Sequence, residues 1–323
     1  MVSAGAEAPR SVAWRSDGRG PRHAHPVMPS TARALCVQPH PIDGAWSSDQ
    51  TLYCGAAHHS KQETTQIHMK LLRKLSRRPS KPVEVYDVES EEDLLTASMS
   101  IDRPELVVRL PIKMLVMLGG VSFDGDHPYV RGLQHGAPAL EAFFATTRPR
   151  TIADYFGLED ETRLGAALPP WEVPWYERMA RLPPTGECGL SAEHGNSVYG
   201  PVTSEKLAVE MGRLTKTLSS IEAKGFRPDL YGYIQGHAMH AGSRGGVRFF
   251  VLGGKHRAAV MSYLGVERIT VKFRTKVQRV VDIHQSRAWP LVRQNLMSQS
   301  LAEEIFLKYF DPRPLSPTPG DTR

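Results

Sequence analysis

Residues 247–273, VRFFVLGGKHRAAVMSYLGVERITVKF, constrain what this chain can fold into more than any other stretch. The aromatic and β-branched residues of 247–252 predict a short strand, and those of 269–273 predict a second. Between them Gly253 and Gly254 open onto Lys255, His256 and Arg257, and a helix then runs to Gly265, which stands where a C-cap belongs. A strand that enters a helix through two glycines aims unpaired backbone N–H groups and the positive end of the helix dipole at one point. With His256 and Arg257 beside it, that point is an anion site, and phosphate is the usual occupant. Spacing alone equally admits a plain tight turn with a solvated His–Arg pair.

The elements upstream extend the pattern. Ser204–Lys224 is the clearest helix in the chain, with Leu207, Met211, Leu214, Leu218 and Ile221 on one face and Gly225 as its stop. A strand at 233–239 and a glycine-rich turn at 242–246 follow, leading into the strand before Gly253.

The run G-G-x-H-R-x-A (Gly253, Gly254, His256, Arg257, Ala259), preceded by a helix carrying Ser220, Ile221 and Gly225, resembles the nucleotide-phosphate motif of the ParB/sulfiredoxin-like superfamily. The resemblance covers residues 190–275. It implies an α+β fold, a mixed sheet with packed helices, and a bound nucleoside di- or triphosphate with magnesium. In that reading Gly253, Gly254, Lys255, His256 and Arg257 hold the phosphates. Sulfiredoxins carry their catalytic cysteine where this chain has Lys255, and a lysine cannot resolve an oxidised sulfur, so sulfinic-acid reduction is excluded. Lys255 adds a point charge suited to phosphate.

The free-serine kinases of the same fold place a carboxylate, as base for the substrate hydroxyl, in the loop ahead of the equivalent helix. Glu193 holds a similar place here, in the loop 191–201, with Glu205 and Glu210 as the other nearby acids. A carboxylate facing a nucleotide phosphate suits phosphoryl transfer, which needs an oriented nucleophile and neutralised charge. Glu193 and His194 read equally well as ordinary loop residues.

The rest of the chain sets the frame. Its 323 residues, 41% apolar, suffice for one large or two ordinary domains. Residues 1–82 are expected to be a disordered or spurious leader with a basic tail, 83–185 an N-terminal α/β region, 186–275 the nucleotide-binding domain, and 276–323 a C-terminal helix and disordered tail. Met69 opens MKLLRKLSRRPSKP, the pattern of a bacterial N-terminus, and the functional chain is expected to start there. That segment holds six cations and no acid, so it accounts for the net charge of +6 and leaves 34 basic against 34 acidic residues elsewhere. A neutral body gives little support to nucleic-acid binding. Only one convincing helix (291–310) follows the motif, too little for a helix-turn-helix domain.

No apolar run approaches the ~20 residues of a membrane span, and the longest, around 114–118, reads as a buried strand. Three cysteines, Cys36, Cys54 and Cys188, without CxxC spacing point to a reducing, cytoplasmic location. Cys54 with His58 and His59, and Asp124 and Asp126 with His127, resemble ligand clusters, but the first falls in the leader and the second is ordinary turn chemistry, so no metal site is expected. The proline–aromatic connector 169–176 reads as packing. Two classes remain open: a phosphotransferase acting on a small hydroxylated molecule, and a non-catalytic nucleotide-binding or regulatory module.

Overall fold

A computed structural model describes residues 83–100, 102–177 and 189–311. The leader, the start at Met69, the basic segment and all three cysteines lie outside the described residues.

The described chain opens with β1 (Val85–Asp87) and α1 (Glu91–Ser100), whose first-turn acids Glu91, Glu92 and Asp93 complement the positive helix end. Pro111 ends the first of two extended segments. β2 (Val107–Pro111) and β3 (Leu115–Met117) flank a single 3₁₀ turn, and β4 (Val121–Ser122) pairs back onto β3. Helices α2 (Pro128–His135), α3 (Ala137–Thr146) and α4 (Ile152–Phe156) follow. After the loop 191–201 come α5 (Ser204–Lys224), the short turn α6 (Pro228–Tyr231), β5 (Ile234–Gly242) and β6 (Gly246–Gly253). The chain continues with α7 (Lys255–Tyr263), β7 (Arg268–Phe273), β8 (Val280–Asp282), α8 (Pro290–Arg293) and α9 (Gln299–Leu307).

The fold is α+β around one mixed eight-stranded sheet, ordered β1-β2-β7-β5-β6-β3-β4, with β8 added parallel to β5. β5 and β6 form the expected antiparallel hairpin, and β7 returns parallel to β5 after α7. Strands from 83–122 occupy both sides of the β7-β5-β6 centre. The α/β region expected over 83–185 and the unit expected over 186–275 therefore share one sheet and its core, and the expected boundary between them does not divide it.

Alternation along the strands builds a core on each face. Leu115, Ala238 and Phe249 point into one, beneath α1, α2, α3, α5 and α7, while their neighbours Val116, Met239 and Phe250 point into the other, beneath α4 and α9. The proline–aromatic connector packs this second core as expected: the Trp175 ring meets those of Phe250, Trp289, Phe306 and Tyr309 edge-on at 5.3–6.0 Å.

Two expectations change. The single helix expected over 291–310 is two helices, because Asn295 adopts a left-handed φ of 53° and Ser298 caps a fresh start by accepting from Leu301 N. On α5, only Leu214 of the expected apolar face is fully buried, while Leu207, Met211, Leu218 and Ile221 are half-buried at its margin. The deepest line is Lys206, Glu210 and Leu214, spaced i, i+4 and i+8.

The loop after β4 is turn chemistry. Asp124 Oδ1 accepts from Asp126 N at 3.0 Å, and the buried His127 caps α2 by accepting from Tyr129 N at 3.1 Å. No group of three His, Cys, Asp or Glu side chains among the described residues could hold a metal ion. No helix among them is long and apolar enough to cross a membrane.

Candidate functional site

The turn from β6 into α7 forms as its residues dictate. Gly254 is the helix N-cap in the left-handed conformation, φ 85°, and no side chain caps the helix there. A Cβ at this position would stand 3.0 Å from Ile234 Cα, so both the dihedral and the close approach require glycine. The first helical hydrogen bond runs from Ala258 N to Gly254 O at 3.0 Å, so the amides of Lys255, His256 and Arg257 have no partner within the helix.

Each side chain of the cationic triplet makes a different contact. Lys255 Nζ donates to Ser197 O at 3.2 Å and to the Ser197 hydroxyl, and lies 5.8 Å above the Tyr129 ring. Arg257 Nη1 donates to Tyr231 O at 2.7 Å and to Gly232 O. The two residues thus tie the loop before α5 and the turn after α6 to either side of the α7 start. Among the described residues Arg257 makes no other hydrogen bond, which leaves Nε and Nη2 as available donors.

His256 turns inward. Its ring stacks on Tyr129 with centroids 4.9 Å apart and planes 14° from parallel, and its Nε2 is 2.6 Å from Glu210 Oε2. Glu210 is the centre of the cluster and is fully buried, at 0% exposure. Lys206 Nζ lies 2.8 Å from its Oε1, off the hydrogen-bonding direction, and Arg213 Nη1 approaches the same oxygen at 3.8 Å. The Tyr129 hydroxyl stands 2.8 Å from Glu210 Oε2 and 2.6 Å from Ser197 O, its single proton serving both acceptors.

The charges follow from this packing. Burial by itself pushes the Glu210 carboxyl up, but the His256 hydrogen bond and the charges of Lys255, His256 and Lys206 outweigh it and hold the group well below the usual carboxylate range. Burial pushes the His256 imidazole below its ordinary value, with Lys255 and Arg213 adding to the shift and Glu210 opposing it. Glu210 is therefore ionised near pH 7.

Of the expected site residues, Gly253, Gly254, Lys255, His256 and Arg257 lie together at the α7 start. Glu193 is exposed on a 3₁₀ turn (Ala192–His194) and makes no hydrogen bond or ion pair among the described residues. Its loop does reach the site, through Ser197. Glu205 sits exposed at the N-terminus of α5, 4.0 Å from His194, whereas Glu210, the third acid considered, stands at the centre.

Sequence reasoning passed over Tyr129 and Lys206. Lys206 and Glu210, four apart on α5, were detectable as a helical charge pair, though not as a buried one. Tyr129 lies more than 120 residues from His256 and carries no local signal.

The sequence matches no family model, and no curated protein or solved structure matches it.

Proposed function

We propose that this chain binds a nucleoside di- or triphosphate through its phosphates at the turn formed by Gly253, Gly254, Lys255, His256 and Arg257, and transfers a phosphoryl group to a small hydroxylated acceptor. The observation that carries the proposal is the start of α7. Three amides without helical partners follow a left-handed glycine that no side chain caps, and two cationic side chains flank them. That arrangement offers backbone donors, dipole and charge to one anion. The resemblance to the ParB/sulfiredoxin-like superfamily supports a nucleotide as that anion. Magnesium enters this reading on the nucleotide's own phosphates, the described residues offering no cage of their own.

A second reading, a non-catalytic nucleotide-dependent switch, draws on the same contacts. Lys255 and Arg257 each hold a loop carbonyl, and phosphate oxygens would compete for both cations. Ligand occupancy would then loosen the loops on both sides of the site.

A thermal-shift screen of nucleoside di- and triphosphates, with and without magnesium, tests the binding step, since a ligand specific to the folded state raises the melting temperature with occupancy. Arg257→Ala is expected to weaken nucleotide binding by about 1.5–3 kcal/mol, the range for a charge-assisted hydrogen bond. Equal affinity in the two proteins would move the phosphate elsewhere. Turnover with a hydroxylated acceptor separates the enzyme from the switch.

A further inference from the structure

We infer that His256, oriented by Glu210, is the group that accepts the proton of the acceptor hydroxyl at this site. The inference rests on the phosphate-binding reading above and deepens it. The hydrogen bond between Nε2 and Glu210 Oε2 is 2.6 Å long, and its acceptor is a fully buried carboxylate. Lys206 Nζ, itself 3% exposed, lies 2.8 Å from the other oxygen, and with the His256 hydrogen bond and the Lys255 charge it favours the ionised carboxylate. An ionised carboxylate only accepts, so Nε2 carries a ring proton and Nδ1 is the nitrogen left for the acceptor.

Nδ1 makes no hydrogen bond among the described residues and is not one of their buried unpartnered polar atoms, so it opens to solvent. It does so in the first turn of α7, between Lys255 and Arg257 and beside amides that have no partner within the helix. The Tyr129 ring, 4.9 Å away and nearly parallel, fixes the imidazole plane. A buried acid, a ring held in plane and a second nitrogen without a hydrogen bond among the described residues are the parts of a general base. Glu193 is exposed and without a partner among the described residues, so nothing there orients it.

The charged and titratable groups around the ring are Glu210, Lys206 and Arg213 on α5, Lys255 and Arg257 on α7, and Tyr129 and His127 at α2. Burial holds the imidazole below its ordinary value, with Lys255 and Arg213 adding to that and Glu210 opposing it. In the step, the acceptor oxygen forms its bond to the γ-phosphorus of a nucleoside triphosphate. The bond from that phosphorus to the bridging oxygen breaks, its electron pair leaves on the nucleoside diphosphate, and the hydroxyl proton passes to Nδ1. Glu210 is a positioning residue throughout.

The test begins with the full chain, ¹⁵N-labelled at histidine. Long-range proton–nitrogen spectra near neutral pH are expected to show His256 protonated at Nε2 and bare at Nδ1; the opposite tautomer overturns the inference. Diethyl pyrocarbonate, which attacks unprotonated accessible imidazoles, is expected to modify His256, with that modification lost when ADP and magnesium are bound. An ADP-induced rise in melting temperature with His256 unreactive overturns this inference and leaves the phosphate reading standing. No rise with any nucleotide and no protection overturns both.

In an assay of ADP release from ATP with hydroxylated acceptors, at saturating nucleotide, His256→Gln is expected to lose about 10²–10⁴-fold in rate. Glu210→Asp is expected to retain part of the rate with a displaced pH profile, which a purely structural carboxylate would not produce. Glu193→Gln is expected to match the parent protein. Loss of rate in Glu193→Gln but not in His256→Gln, or absence of any acceptor-dependent ADP release, overturns the role.

Discussion

Gly254 carries the tightest single-residue constraint in the site. Its left-handed backbone and the 3.0 Å approach to Ile234 Cα leave no room for a side chain, and the uncapped amides that follow depend on that geometry. Gly254→Val is therefore expected to destabilise the fold by at least ~1–2 kcal/mol, the cost of a left-handed L-residue, and to abolish nucleotide-induced stabilisation. Urea denaturation with and without ligand measures both; a fully stable variant with an unchanged ligand response would show that the turn does not bind phosphate. Glu193 and Glu210 illustrate how far residue type underdetermines role. Both are acids near the motif in sequence, but one projects into solvent and the other is enclosed by Lys206, His256 and Tyr129.

At the scale of elements, α5 is the informative case. Its apolar period identified the helix and its boundaries, Ser204–Lys224, because periodicity reports which side faces a core. Periodicity is silent about a charge pair placed on that same side. Lys206 and Glu210 lie within the buried arc, where each offsets part of the other's desolvation. Lys206→Met is expected to destabilise by ~3–5 kcal/mol by leaving Glu210 short of a cation, and Lys206→Met with Glu210→Leu to recover much of that loss. A double-mutant cycle in urea checks it; additive losses would mean that the pair does not act as one unit. The helix expected over 291–310 shows the converse limit. Its apolar residues are continuous enough to read as one element, but Asn295 in a left-handed turn redirects the chain so that Leu291 and Leu301 both reach the second core.

For the whole molecule, buried histidines set the response to acid. His127 and His237 are fully buried, and burial pushes each imidazole down to about 3, His127 also being opposed by Lys255 and His256. The unfolded chain binds protons near the ordinary value of 6.5. Below that value the unfolded state holds more protons, so stability is expected to fall as pH drops from about 6.5 towards 3, by ~1.4 kcal/mol per pH unit for each histidine. Glu210, whose folded value is depressed, adds a further loss once the pH falls through and below the ordinary carboxylate range. Urea midpoints across this range measure the slope, and His237→Phe should reduce it by about one proton's worth. A slope unchanged in the variant would mean that His237 is not buried as a neutral ring.

What the sequence by itself determined is the local grammar. It specified β5, β6, α7 and β7 in order, the helix α5, the turn at Asp124 and the glycine turn that leads from β6 into α7. These follow from steric and periodic preferences that act over a few residues. Only the tertiary structure decided that strands from 83–122 join the same sheet on both of its sides, because strand partners are chosen by burial across long separations in the chain. Tertiary packing likewise assembled Tyr129, Lys206, Glu210 and His256 into one cluster. The pairing of a buried charge is a property of three-dimensional neighbours, and His256 meets Tyr129 across 127 residues and Glu210 across 46.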